Sequence, residues 1–102
     1  MENELSITKE LSGTQLTIAL NGRLDTITSP EFESLLRQSI PGVTELVLDL
    51  SNLAYISSAG LRTFLVAQKI MNAQGTMKLI HVGEAVYEIL DITGFTDVYN
   101  IE

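Results

Sequence analysis

Residues 49–62 read Asp49-Leu50-Ser51-Asn52-Leu53-Ala54-Tyr55-Ile56-Ser57-Ser58-Ala59-Gly60-Leu61-Arg62, and two kinds of periodicity meet there. On the upstream side, Leu46-Val47-Leu48 is continuous apolar sequence, which is typical of a strand covered on both faces. We expect this strand to span residues 43–50 and to be broken by Ser51-Asn52. On the downstream side, apolar residues at helical spacing predict a helix from about Ser58 to Ala73. The segment therefore predicts a buried strand, a short loop and a helix in succession.

Two neutral serines, Ser57 and Ser58, stand where this helix begins, and no charged residue occurs from Leu50 to Leu61. A serine at such a position has two interpretations. Its hydroxyl can cap the helix by accepting a hydrogen bond from a free backbone amide. Alternatively, it can be a modification site, since the free amides and the helix dipole stabilise a phosphate group there. From the spacing alone, capping is the favoured interpretation.

Upstream of this segment, alternating apolar residues predict an antiparallel hairpin. Leu5 and Ile7 indicate a short strand, Ser12-Gly13 a turn, and the alternation over residues 16–20 a second, half-buried strand. We expect a bulge or bend at Gly22.

A first helix is predicted between the hairpin and the buried strand. Ser29 would be its N-cap, and Pro30 its first residue, where no amide donor is needed. Phe32, Leu35, Leu36 and Ile40 make one apolar stripe, and Pro41-Gly42 ends the helix.

The C-terminal third continues the alternation of strands and helices. Residues 76–82 alternate as a strand, and residues 84–93 predict a third helix that Gly94 ends. Val98, Tyr99 and Ile101 predict a last short strand or a packed tail. Because alternating strands and helices imply parallel crossovers, whereas the hairpin is antiparallel, the sheet should be mixed. We predict one α/β domain over residues 1–102, with a sheet of four to five strands and helices mainly on one face.

Composition excludes several classes of function. The chain has 102 residues, no cysteine, one histidine (His81) and 13 acidic against 6 basic residues, which gives a net charge of -7. Thiolate chemistry and cysteine-ligated metals are therefore excluded, and one histidine cannot build a metal site alone. The acidic balance argues against nucleic acid and against an anionic membrane surface as partners. No apolar run suggests membrane insertion, and the acidic N-terminus differs from a signal peptide, so we expect a cytoplasmic protein.

Motifs of common enzymes are absent from the sequence. It contains no phosphate-binding glycine loop, no dinucleotide fingerprint, no zinc-protease helix and no nucleophile elbow. Asp49 near a predicted strand end and Asp25 in a predicted loop are candidates to meet in space, but two carboxylates alone do not make a hydrolase. We therefore predict a protein that is not an enzyme and needs no cofactor or metal, and a surface or structural role for His81.

The central segment resembles the signature of the anti-sigma-factor antagonists, whose fold is the STAS domain. In that family a strand ending in Asp/Asn-Leu leads through a short loop into Asp-Ser-Ser/Ala-Gly-Leu at a helix start. This chain has Asp49-Leu50 and then Ser57-Ser58-Ala59-Gly60-Leu61. Upstream, Leu20-Asn21-Gly22-Arg23-Leu24-Asp25 resembles the family's Leu-x-Gly-Arg/Glu-Leu-Asp. The predicted order of elements is also similar, so the resemblance covers essentially the whole chain.

The resemblance implies a switch controlled by phosphorylation. In the family, the unmodified antagonist binds an anti-sigma factor that is also a serine kinase, and this frees the sigma factor. The kinase then phosphorylates the antagonist and the complex dissociates, until a metal-dependent serine phosphatase resets it. By position, the acceptor here is Ser58. Ser57 stands where the family usually has Asp, so it is a second candidate acceptor, and the site can also be a docking surface that is never modified.

The same resemblance implies a partner-binding surface around the two serines. The predicted partner-binding residues are Asp25, Ser57, Ser58, Gly60, Leu61, Arg62 and Leu65. For two of these assignments an ordinary structural role is an equal alternative: Asp25 as a turn former, and the leucines as core residues. A second hypothesis for the whole chain is an adaptor subunit of a lipid-trafficking ABC transporter or a signalling assembly, without phosphorylation. In either case we expect a monomer or a weak dimer.

Overall fold

Five strands and three helices follow one another in residues 5–95 and 100–102, the part of the chain that this computed structural model describes. They are β1 (Leu5–Ser12), β2 (Gln15–Leu24), α1 (Ser29–Ser39), β3 (Glu45–Ile56), α2 (Ser58–Asn72), β4 (Thr76–Ile80), α3 (Glu84–Ile92) and β5 (Asn100–Ile101). The strands lie side by side in chain order. β1 is antiparallel to β2, and all later neighbours pair in parallel. This confirms the predicted mixed sheet of an α/β fold.

The helices pack on one face of the sheet, as predicted. Each crossover steps to the next strand in the same direction, and right-handed crossovers then leave their helices on the same side. Leu46, Leu48 and Leu50 of β3 point to that side and are fully buried in the core. The rings of Phe32 and Phe64 meet edge to face at 6.2 Å, which joins α1 to α2. None of the helices in the described ranges is long and apolar enough to cross a membrane.

β3 is longer than the sequence predicts. Ser51-Asn52 was expected to break the strand, but the strand continues to Ile56. The reason lies in β2, which also continues past its predicted bulge and pairs Leu24 with Ile56. Two register shifts, at residues 19–21 and at Gly22/Arg23, keep the two extended strands paired. Gly22 adopts a φ of 117°, which favours glycine. The polar pair Ser51-Asn52 therefore lies exposed within a strand, not in a loop.

The start of α1 also differs from its prediction. Thr28, not Ser29, is the N-cap residue, and it makes no side-chain cap hydrogen bond. Its hydroxyl instead donates to the backbone oxygen of Arg23 at 2.8 Å and accepts from the amide of Asp25 at 2.9 Å. Ser29 is the first helical residue, and its hydroxyl donates to the backbone oxygen of Asp25. Both hydroxyls therefore tie the helix to the preceding loop.

The C-terminal elements are shorter than expected. β4 ends at Ile80, because His81 adopts a φ of 57°, outside the extended region. α3 ends at Ile92, with Thr93 as its C-cap and Gly94 at a φ of 82°, so the predicted glycine stop is confirmed. The predicted final strand is present as β5, although Val98 and Tyr99 lie outside the described residues.

The start of α2 packs closely against the ends of β2 and β3. A β-carbon added at Gly60 would stand 2.8 Å from the backbone oxygen of Leu24 and 2.8 Å from the side chain of Ile56. Carbon atoms need more room than this, and a backbone oxygen cannot swing away as a side chain can. The glycine of the central segment is therefore required for the contact between α2 and the ends of β2 and β3.

We predict that Gly60→Ala destabilises the protein by about 1–3 kcal/mol, even though alanine is the better helix former, because the added methyl group overpacks the contact. Urea unfolding followed by circular dichroism measures this change. Gly83→Ala is the control, since a β-carbon there meets no atom within 4 Å. The two variants losing equal stability would contradict the explanation.

Candidate functional site

Ser57 caps helix α2. Its backbone is extended, with φ −98° and ψ 177°, and its side-chain oxygen accepts a hydrogen bond from the amide of Gly60 at 3.3 Å. Its own amide donates to the backbone oxygen of Leu24 at 2.9 Å, which fixes the start of α2 against the end of β2. Ser57 is half-buried by these contacts. Of the two serines, Ser57 is therefore the one that caps the helix.

Ser58 has a different environment, although it is the next residue. It is the first residue of α2 and is exposed. Its hydroxyl makes no hydrogen bond with residues 5–95 or 100–102. It lies beside the first-turn amides of the helix, whose partial positive charge favours a negative group. The hydroxyl is therefore open to a partner and stands where added negative charge is tolerated.

Asp25 shapes the loop next to Ser57. One carboxylate oxygen accepts hydrogen bonds from the amides of Ile27 and Thr28 at 3.0 Å each and from the Thr28 hydroxyl at 3.2 Å. The amide of Thr28 is the main cause of a lowered pKa for Asp25; partial burial raises this pKa, while the Ile27 amide, the Thr28 hydroxyl and Arg23 lower it further. The turn-forming role is thus visible, and contact with a partner stays a prediction.

A neighbouring residue of this loop was missed in the sequence. Ile27 is 73% exposed, although it is a large apolar residue. It lies in the loop that follows Leu24, the residue whose backbone oxygen accepts a hydrogen bond from the Ser57 amide. The signal was an isoleucine among Asp25, Thr26 and Thr28, outside any apolar period. An exposed apolar side chain in this loop is suited to contact with another protein.

The remaining predicted residues on α2 divide into buried and exposed ones. Gly60 and Leu61 are buried, Leu61 with 4% of its surface exposed, and Leu65 is partly buried against the core. Packing thus accounts for these three, although both leucines still border a groove. Arg62 is exposed. The structure brings Arg62 and Ser58 together on the same side of α2.

The groove, of about 340 Å³, runs between α2 and the end of α3 and is mainly apolar. It is lined by Ser58, Leu61, Arg62, Leu65, Thr93 and Phe95. Thr93 and Phe95 flank the predicted helix stop Gly94, but their place beside α2 follows from how α3 packs. Periodicity alone could not have identified them.

Asp49 and His81 lie elsewhere. Asp49 pairs with Ala19 in mid-sheet, whereas Asp25 follows the far end of β2, so the two aspartates do not meet. His81 Nδ1 lies 3.0 Å from a carboxylate oxygen of Asp49, and the ring is well exposed. Among the residues that the structure describes, no cluster of three or more histidine, aspartate or glutamate side chains is arranged to hold a metal ion.

Sequence comparison finds a matching protein family and similar known proteins. The family model of the STAS domain matches residues 6–102. BtrV of Bordetella bronchiseptica, named as a proposed anti-sigma factor antagonist, is 31% identical over 99 residues, covering 95% of this chain and 85% of the relative.

Structural comparison agrees with that match. An anti-sigma factor antagonist from Mycobacterium paratuberculosis superposes with a TM-score of 0.89 at 18% identity, covering 99% of this chain and 87% of the other. The antagonist SpoIIAA in its unphosphorylated form superposes with a TM-score of 0.82 at 18% identity, covering 95% and 88%. A Bacillus SpoIIAA structure in the phosphorylated form gives 0.74 at 17% identity, covering 95% and 91%. Because the family model matches nearly all residues of this chain, the chain belongs to the STAS domain family.

Proposed function

We propose that this protein is an anti-sigma factor antagonist that binds an anti-sigma factor with serine kinase activity and releases it when Ser58 is phosphorylated. The proposal rests on one observation: Ser58 is exposed at the first turn of α2, whereas Ser57 is used as the cap. It is supported by the family relatives, which are named antagonists. The protein acts in this proposal as a cytoplasmic regulatory module and as a substrate, without catalysis of its own.

The difference between the two serines selects the acceptor. A kinase needs a hydroxyl that can enter its active site in line with the nucleotide's terminal phosphate. Ser58 is exposed and has no partner in the described part of the chain, whereas Ser57 is half-buried and its oxygen accepts from Gly60. Serine and aspartate are both good N-caps, so Ser57 can fill the position where the family usually has aspartate.

The transfer itself is an ordinary phosphoryl transfer. The Ser58 oxygen forms a bond to the terminal phosphorus of ATP, and the bond from that phosphorus to its bridging oxygen breaks. ADP leaves, and the hydroxyl proton passes to a base of the kinase. A serine phosphatase reverses the modification by hydrolysis, which returns the hydroxyl and releases inorganic phosphate.

Release follows from the charge that the phosphate adds. A partner packed over the neutral serine and the apolar groove excludes water from both. A phosphoserine carries about -1.5 to -2 charges at neutral pH, and covering such a group without a cation to pair it costs several kcal/mol. The same group is compatible with the free domain, because the α2 amides favour negative charge at this point.

We predict that incubation of the protein with lysate of its source cells and ATP places phosphate on Ser58. Mass spectrometry of the digested protein locates the group. Ser58→Ala should abolish the modification, and Ser57→Ala should retain it. Phosphate found on Ser57 would overturn Ser58 as the acceptor. Phosphate on neither serine with any candidate kinase would overturn the switch and favour an adaptor.

We also predict that Ser58→Asp weakens binding to the co-purified anti-sigma factor at least about tenfold, which calorimetry measures. The circular dichroism spectrum and melting temperature should stay nearly unchanged, since aspartate is favourable in a first helical turn. By contrast, Ser57→Ala should lower the free energy of unfolding by about 1 kcal/mol, because it removes the cap.

Ser6→Asp is the matched control for this measurement. It adds the same charge at an exposed position of β1, far from α2, and should bind the partner as the unmodified chain does. A Ser58→Asp protein that loses helicity would show that Ser58 is a structural residue. A variant that binds at full strength would show that negative charge there does not control the partner.

A further inference from the structure

Arg62 stands one helical turn after Ser58. Residues four apart on an α-helix are neighbours, with roughly 5–6 Å between their β-carbons. Helical side chains also lean toward the N-terminus of their helix, so the long side chain of Arg62 is directed back over the turn that begins with Ser58. Both residues line the groove between α2 and α3. The guanidinium is therefore within reach of a group attached to the Ser58 oxygen.

Arg62 differs from the other two arginines in its electrostatic partners. Arg23 lies 3.8 Å from Asp25 and stacks on Tyr55, and Arg37 makes two hydrogen bonds to Glu33. Arg62 makes no ion pair or hydrogen bond within residues 5–95 and 100–102. Since no carboxylate in this part of the chain is paired with it, the Arg62 guanidinium is available for an anion that the chain acquires later.

The carboxylate that shares a second hollow with Arg62 is already bonded to another arginine. Arg62 also borders a second hollow, of about 250 Å³, which Glu33 lines from α1. Both hydrogen bonds of Glu33 with Arg37, at 3.0 and 3.2 Å, hold that carboxylate on its own helix. Arg62 therefore stands on a ridge between two hollows and can turn toward the groove that Ser58 borders.

We propose that Arg62 holds the phosphate of phosphorylated Ser58 within the same molecule. The planar guanidinium donates two parallel N–H groups to phosphate oxygens, a geometry that lysine cannot supply. The acidic member of the pair precedes the basic member by four residues, which is the favourable order along a helix dipole. This inference rests on the proposed modification of Ser58, and it names the side chain that binds the phosphate afterwards.

The pairing changes the docking surface in two ways. The phosphate and guanidinium together occupy the mouth of the groove, whose walls are Leu61, Leu65 and Phe95. The pairing also withdraws the one cation that Ser58 has beside it on α2, so a partner loses a donor as well as an apolar hollow. Phosphorylation thus closes the surface without unfolding the helix.

The experiment uses the full chain with phosphoserine installed at position 58 by amber suppression. The second pKa of the phosphate is measured by ³¹P NMR titration. We expect this pKa to lie about 0.3 unit lower with Arg62 present than in Arg62→Gln, because a neighbouring cation favours the dianion. Lys69→Gln is the matched control, since it removes an equal charge from the last turn of α2.

The pairing is supported if the phosphate pKa is unchanged in Lys69→Gln and raised in Arg62→Gln, each compared with the phosphorylated chain that keeps both cations. Equal pKa values with and without Arg62 overturn it. A second readout is the Nε–H resonance of Arg62, which should shift on installing the phosphate and not on installing alanine at position 58. Because phosphoserine is incorporated during translation, this outcome is independent of any kinase that acts on the protein. Failure of the lysate experiment therefore overturns the proposed function alone.

Discussion

The closeness of α2 to the ends of β2 and β3 is the constraint on which the rest of the site depends. Only a residue without a side chain fits at Gly60, between the backbone of Leu24 and the side chain of Ile56. The hydrogen bond from the Ser57 amide to the backbone oxygen of Leu24 also requires this closeness. The loop of Asp25 begins one residue after the same carbonyl group. One contact therefore sets the positions of the helix start and of the loop beside it.

This contact gives the two adjacent serines different environments. Ser57 faces inward and supplies an oxygen to the backbone, so its identity can be exchanged for aspartate without loss of the cap. Ser58 faces outward and leaves its hydroxyl for other molecules. A helix start offers both environments within one residue because the cap residue is extended, whereas the next residue already has helical geometry. The cap and the exposed hydroxyl are thus supplied by different side chains.

Much of this fold could be predicted from local patterns, since alternation in β2 and helical spacing in α1 and α2 reflect burial on one face. The predictions are wrong where contact with another strand or loop determines the conformation. Ser51-Asn52 looks like a break, but β2 bulges there and its Asn21 pairs with Asn52, so the strand continues. Ser29 looks like a cap, but the loop of Asp25 engages its hydroxyl. The groove needed Thr93 and Phe95, which reach α2 only through the packing of α3.

The sequential strand order has a consequence for how the chain acquires its shape. Every strand after the first pairs with the strand that was synthesised just before it, so no part of the sheet waits for a distant segment. Such a chain can add one layer at a time as it leaves the ribosome. Thr93 and Phe95, which form one wall of the groove, are synthesised after the whole of α2. A nascent chain therefore exposes Ser58 before its groove exists, and recognition that needs the groove requires a chain in which α3 has already packed beside α2.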